Sequence, residues 1–190
     1  MEEPTFWETC LDWGLNHLLM KSIHREYVKK LGLTGNENLL DVGCGSGAFT
    51  QHVAEAILMG QGRITCVDSS ETWLKIARKR LAKREFLHFV QSKIETAPLP
   101  DKTYTAVLIH CTLCQTNPNH RQSLVNASAR RLMRGGVLYI KESTSVEKGI
   151  QPVEIRRLME QALMKEISFE MGYTALQGPT YQGVFRSAAG

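Results

Sequence analysis

The sequence predicts an α/β fold: a mostly parallel, seven-stranded sheet, doubly wound, with an antiparallel hairpin at its C-terminal edge. Two observations carry this expectation. Short apolar runs of strand length alternate with stretches whose apolar residues recur at helical spacing, the pattern of a parallel sheet with crossover helices. The last two strand-like segments are separated only by a turn at Gln177-Gly178-Pro179, which leaves no room for a helix and reads as a hairpin.

Taken in order, the chain opens on a helix from about Trp7 to Leu31, where Leu11, Leu15, Leu18, Leu19, Ile23 and Tyr27 share a face and Gly32 and Gly35 end it. A buried strand at Asn38–Val42 enters a glycine-rich turn, and a helix from Ala48 to about Leu58 follows. The second strand is Arg63 to Asp68. The next helix runs from Glu71 to about Lys83, with Ser69 or Ser70 as its N-cap. Leu87–Val90 is the third strand, and Pro98 and Pro100 mark a loop. Tyr104–Ile109 is the fourth strand, and a helix from about Asn119 to Leu132 leads to the turn Met133-Arg134-Gly135-Gly136. Val137–Lys141 is the fifth strand. Pro152 opens a last helix reaching about Met164, and strands near Ile167–Tyr173 and Tyr181–Arg186 close the chain. The expected organisation is a helical cap over residues 1–35 and one globular unit over 36–190.

Composition narrows the function classes. A chain of 190 residues suits one well-buried domain. No apolar run approaches the roughly 20 residues that span a membrane. Met1-Glu2-Glu3-Pro4 does not resemble a secretory signal, so the expected location is cytoplasmic. The net charge of +4 is mild. The basic run Lys75, Arg78, Lys79, Arg80, Lys83 and Arg84 reads as a solvated helix face rather than a nucleic-acid site. Five irregularly spaced cysteines make no disulfide framework. Cys111-x-x-Cys114 has no second pair to complete a zinc site, so no metal is expected and the pair reads as pocket-lining.

The turn Asp41-Val42-Gly43-Cys44-Gly45-Ser46-Gly47 carries the chemistry. Glycines at alternate positions let backbone approach a ligand closely, and the following helix aims its first N–H groups there. One βα unit later, Asp68 ends a strand where a carboxylate can hold two ribose hydroxyls. An adenosine-type cofactor follows. Gly43-x-Gly45-x-x-Ala48 also satisfies a relaxed dinucleotide fingerprint, so a nicotinamide (NAD) oxidoreductase stays open. Asp41 argues against it, because a carboxylate beside the turn repels a pyrophosphate and favours a cation.

Leu39-Leu40-Asp41-Val42-Gly43-Cys44-Gly45-Ser46-Gly47 resembles the first motif of the class I S-adenosylmethionine-dependent methyltransferases. Asp68 matches that family's ribose-binding acid, Ser69 its small polar successor, and Trp73 a position near adenine. Leu99–Val107 resembles the loop into strand four, and Arg134-Gly135-Gly136-Val137-Leu138 the turn before strand five. The set is similar to the small-molecule branch that includes the ubiquinone and menaquinone biosynthesis enzymes, and it covers the chain from about Asn36 onward. The resemblance implies a Rossmann-like fold and S-adenosyl-L-methionine as cofactor, with S-adenosyl-L-homocysteine as product. It places cofactor contacts at Asp41, Gly43, Cys44, Gly45, Gly47, Asp68, Ser69, Ile94, Glu95 and His110. Two positions depart from the pattern. Lys93 stands where relatives carry an Asp, and Thr105 where they carry a strand-four acid.

Methyl transfer from a sulfonium needs the acceptor atom held in line and kept dry, with a base only if the acceptor must lose a proton. His110, after strand four, is the candidate base or acceptor contact, and Glu142 a second candidate base. His17 and His24 lie two turns apart, on a polar helix face or lining the acceptor pocket. The asparagine-proline-proline-aromatic motif of many nucleic-acid amino-methyltransferases is replaced by Ile109-His110-Cys111-Thr112, so a flipped base has no stacking platform. The expected partner is a small-molecule acceptor gripped by the N-terminal helices and the loop Ser143–Gln151, its methylated atom (O, S, N or C) open. A non-catalytic binding module on the same fold is the alternative that Lys93 and Thr105 raise.

Overall fold

Five of the six residues of the strand Arg63–Asp68 are buried, with Ile64 and Cys66 at 0% exposure. That is why the sequence reads there as a continuous apolar run rather than an alternating one. The computed structural model describes residues 20–174 and 178–187; most of the predicted N-terminal helix, with Cys10 and His17, lies outside them. The chain divides into two units, residues 1–93 and 94–190.

The first unit holds α1 (Lys21–Lys30), β1 (Asn38–Val42), α2 (Ala48–Ile57), β2 (Arg63–Asp68), α3 (Glu71–Arg80) and β3 (Leu87–Gln91). The three strands are parallel, with β2 in the middle, Leu40 level with Thr65 and Val67 with Val90. Helix α1 buries His24, Tyr27 and Val28, one face at i, i+3 and i+4, and packs on α2. His24 therefore does not sit on a polar face. It is 2% exposed, its ring edge-on to Phe49 at 5.8 Å, because the helix turns that stripe inward. Ser70 is the N-cap of α3, its Oγ accepting the Trp73 N–H at 3.1 Å. The helix ends at Arg80, and Lys83 beyond it has left-handed backbone (φ +70°). The basic run is thus split between a helix and the turn that follows it.

The second unit holds β4 (Tyr104–His110), α4 (Pro118–Arg131), β5 (Leu132–Ser143), α5 (Pro152–Gln161), β6 (Met164–Thr174) and β7 (Gly178–Ser187). β4 and β5 are parallel; β5–β7 and β7–β6 are antiparallel, so the terminal hairpin forms as expected. β5 starts earlier than the sequence suggests. Tyr104 is level with Leu132 but Ala106 with Val137, so the expected Met133–Gly136 turn bulges out within the strand, Gly135 at φ +76°. Arg131, at the end of α4 and 5% exposed, donates to the Ala97 carbonyl at 3.0 Å, to the Leu99 carbonyl and to the Asp101 carboxylate, pinning the proline-marked loop into β4. Ile155, Leu158 and Met159 of α5 turn inward, and Arg156 lies 4.5 Å over the Phe169 ring of β6.

Candidate cofactor and acceptor site

The turn after β1 is built from left-handed glycines: Gly43, Gly45 and Gly47 have φ of +71°, +52° and +74°, a conformation costing other residues about 1–2 kcal/mol. The Gly43 and Cys44 N–H groups both donate to the Val67 carbonyl, at 2.8 and 3.2 Å, docking the turn on the end of β2. Gly47 is then the N-cap of α2, with no side chain to close the helix end. The last two glycines differ in their surroundings. A Cβ on Gly47 would fall 2.9 Å from Leu81 Cδ1, whereas one on Gly45 would meet nothing within 4 Å among the described residues. Gly47 is glycine because α3 is packed against it, whereas no described residue crowds Gly45.

Both acids of the turn are 2% exposed. Asp68 accepts the Gly45 N–H on Oδ2 and the Ser70 N–H on Oδ1, each at 2.9 Å. A carboxylate oxygen can accept more than one donor. Asp41 accepts the Thr50 hydroxyl at 2.6 Å. Burial raises its pKa to about 6, opposed by Thr50 and reinforced by the charge of Asp68. A bound cation would relieve that cost. Cys44 is buried, and its thiol is pushed up by the hydrogen bond with Cys66 and by desolvation. Ser69 is half-buried, and capping falls to Ser70 instead. Arg80 donates to the Ser46 carbonyl at 3.0 Å and hydroxyl at 2.7 Å, tying α3 to the turn. The buried acids and the space beside Gly45 among the described residues fit an adenosine cofactor with a cationic tail.

The remaining expected residues belong to the second unit. Ile94 is 3% exposed, and Glu95 is half-buried, accepting the Ser123 hydroxyl at 3.2 Å. His110 is the last residue of β4 rather than the first after it, level with Lys141 of β5. Cys111 follows with left-handed backbone, φ +53°. Glu142 is not placed as a base. It is 0% exposed, and its carboxylate already accepts the N–H groups of Thr112, Leu113 and Cys114. Burial raises its pKa while those amides lower it. The Cys111 thiol is pushed up to about 12 by desolvation and by the charge of Glu142, and Cys114 is raised in the same way. Two protonated thiols suit a packing role, not redox chemistry.

Sequence reasoning missed Thr50, Arg80 and Arg131 as builders of these loops, because their partners lie 9 to 34 residues away and no local pattern marks them.

The family described as "Methyltransferase domain" matches residues 40–140. The chain belongs to that family. This methyltransferase domain is 32% identical over 128 residues to the demethylmenaquinone methyltransferase of Tropheryma whipplei (strain Twist), a match covering 67% of this chain and 51% of the relative. The chain thus spans about half the length of the curated relatives it matches. Among solved structures it is similar to the N-methyltransferase NodS from Bradyrhizobium japonicum WM9 in complex with S-adenosyl-L-homocysteine (TM-score 0.76, 14% identity, 92% of this chain and 91% of that one). It is also similar to the [4+2]-cyclase SpnF (TM-score 0.74, 16% identity, 90% and 82%). The fold is the class I S-adenosylmethionine-dependent methyltransferase fold, seven strands mostly parallel with antiparallel C-terminal strands. The similarity to a cyclase shows that the fold alone does not set the reaction. The family match, not the fold, decides between the methyltransferase and the nicotinamide reading.

Proposed function

We propose that this methyltransferase domain transfers a methyl group to a small-molecule acceptor, and that Gly45 and Asp68 anchor the cofactor. The observation that carries this reading is the pair they form: an Asp68 carboxylate drawn to the turn by the Gly45 N–H, beside space that no described side chain fills. Asp68 and Ser69 take the ribose hydroxyls. Gly43, Cys44, Gly45 and Gly47 present backbone, and Asp41 balances the cationic tail. Ile94 contributes backbone and Glu95 its carboxylate at the adenine end. S-adenosyl-L-methionine supplies a methyl already activated on sulfur, so the chain's own work is to orient the acceptor and exclude water. His110 contacts the acceptor and, where the acceptor carries a removable proton, accepts it at a ring nitrogen.

Residues 1–35 act as the cap over this pocket, and the protein works in the cytoplasm on a small molecule rather than on nucleic acid. Among the described residues no helix is long and apolar enough to cross a membrane. Demethylmenaquinone, named for the Tropheryma relative, is the first acceptor to assay. Calorimetry against S-adenosylmethionine, S-adenosylhomocysteine and NAD tests the cofactor. Micromolar binding of the first two, lost in Asp68→Ala, is expected; binding of NAD alone overturns the reading. Binding of S-adenosylmethionine without turnover of any acceptor would favour the non-catalytic module.

A further inference from the structure

We infer that Glu142 is a positioning residue for the acceptor side of the site: its buried carboxylate folds the segment Cys111–Cys114 and so fixes the backbone from which His110 projects. The inference rests on the methyltransferase reading and on the acceptor-side role it gives His110. β4 stops at His110, and the Cys111 N–H makes the last sheet contact, donating to the Lys141 carbonyl at 2.8 Å. The next three N–H groups have no strand to meet. They turn together onto one side chain, Thr112 and Leu113 at 2.9 Å from Glu142 Oε1 and Cys114 at 3.1 Å from Oε2. Successive amides converging on an anion form a nest, and here the anion is supplied by the neighbouring strand of the chain itself.

The carbonyl side of the same segment is held as firmly. Arg121 Nε donates to the Leu113 carbonyl at 2.9 Å, Thr116 Oγ1 to the Thr112 carbonyl at 2.7 Å, and Thr112 Oγ1 to the His110 carbonyl at 3.2 Å. Thr112 and Leu113 are 2% and 0% exposed. These contacts over-determine the loop and hold Cys111 left-handed, a state that is otherwise unfavourable for a non-glycine residue. A buried carboxylate is costly unless its lone pairs are used, and ending β5 would not require one. Gathering three donors does. A glutamine cannot substitute, since its NH2 group would face an N–H donor.

Amide exchange followed by NMR, together with the His110 ring signals, tests this on the intact chain. In the wild type the Thr112, Leu113 and Cys114 amides are protected as strongly as those of β4; open exchange there overturns the inference without any variant. In Glu142→Gln, losing charge-assisted bonds speeds exchange of those three amides about tenfold or more, while the amides of Ala106–Ile109 change less than about threefold. The His110 ring signals move toward those of a free imidazole, and Glu142→Asp restores part of both effects. A uniform rise in exchange with unmoved His110 signals would show a merely structural role and overturn the proposal. Failure of the wild type to bind S-adenosylhomocysteine would instead defeat the methyltransferase reading, whatever the exchange pattern.

Discussion

At the scale of single residues, Gly45 and Gly47 look alike in the sequence but answer to different forces. Both are left-handed, so alanine at either costs about 1–2 kcal/mol of backbone energy. Gly47→Ala adds an overlap at 2.9 Å with Leu81 and 3.3 Å with Ala77. It is expected to lose about 2–4 kcal/mol of stability in urea unfolding. Gly45→Ala meets no atom of the described residues within 4 Å. It should unfold only about 1–2 kcal/mol more easily yet lose S-adenosylhomocysteine binding, because the new methyl occupies ligand space. Equal effects of the two on folding and binding would overturn this distinction.

Asp41 makes the pH prediction of the same scale. Its pKa rises from 3.8 to about 6 on folding, so the charged form is disfavoured in the native state. That cost is absent below about pH 4, builds between about 4 and 6, and is complete above 6, where it reaches about 3 kcal/mol. Asp41→Asn keeps an acceptor for Thr50. Its stability gain over the wild type should therefore grow across that window, measured by unfolding at pH 4, 5, 6 and 7. S-adenosylmethionine binding by the wild type should strengthen from pH 5 to 7 as Asp41 ionises, and the variant should lack that slope.

At the scale of elements, Arg131 ties down the loop Ala97–Asp101, and Arg130 also meets Asp101, at 3.2 Å. Arg131 serves two carbonyls and a carboxylate from the end of α4. Arg131→Ala leaves buried carbonyls unmet, and a loss of about 2–4 kcal/mol with faster proteolysis at the loop is expected. The cap of α3 is a smaller lever. Ser70→Ala removes the bond to the Trp73 N–H and should cost about 1 kcal/mol in thermal unfolding.

For the whole molecule, the proposed cofactor is a source of stability as well as of chemistry. A ligand that binds only the folded chain adds about 2.7 kcal/mol at a hundredfold excess over its dissociation constant. Saturating S-adenosylhomocysteine should therefore raise the melting temperature by several degrees in the wild type. Asp68→Ala, without the carboxylate that meets Gly45 and Ser70, should show almost no rise. A melting temperature unmoved by the ligand in the wild type would count against the proposed site.

Among the described residues, the sequence by itself determined the order and kind of the elements, since apolar strand-length runs and one-faced helices leave local periodic marks. It also determined the hairpin, from a separation too short for a crossover, and the glycine turn with Asp41 and Asp68, because left-handed backbone and an acid at a strand end are written in residue type. Tertiary structure decided the rest. His24 went inward because the helix turned it to Phe49. The Met133–Gly136 turn became a bulge because Leu132 had already paired with Tyr104. Glu142 changed from a candidate base to the anchor of a loop because three amides some 30 residues earlier converge on it. Such pairings between distant residues follow no local period, so only the folded chain reveals them.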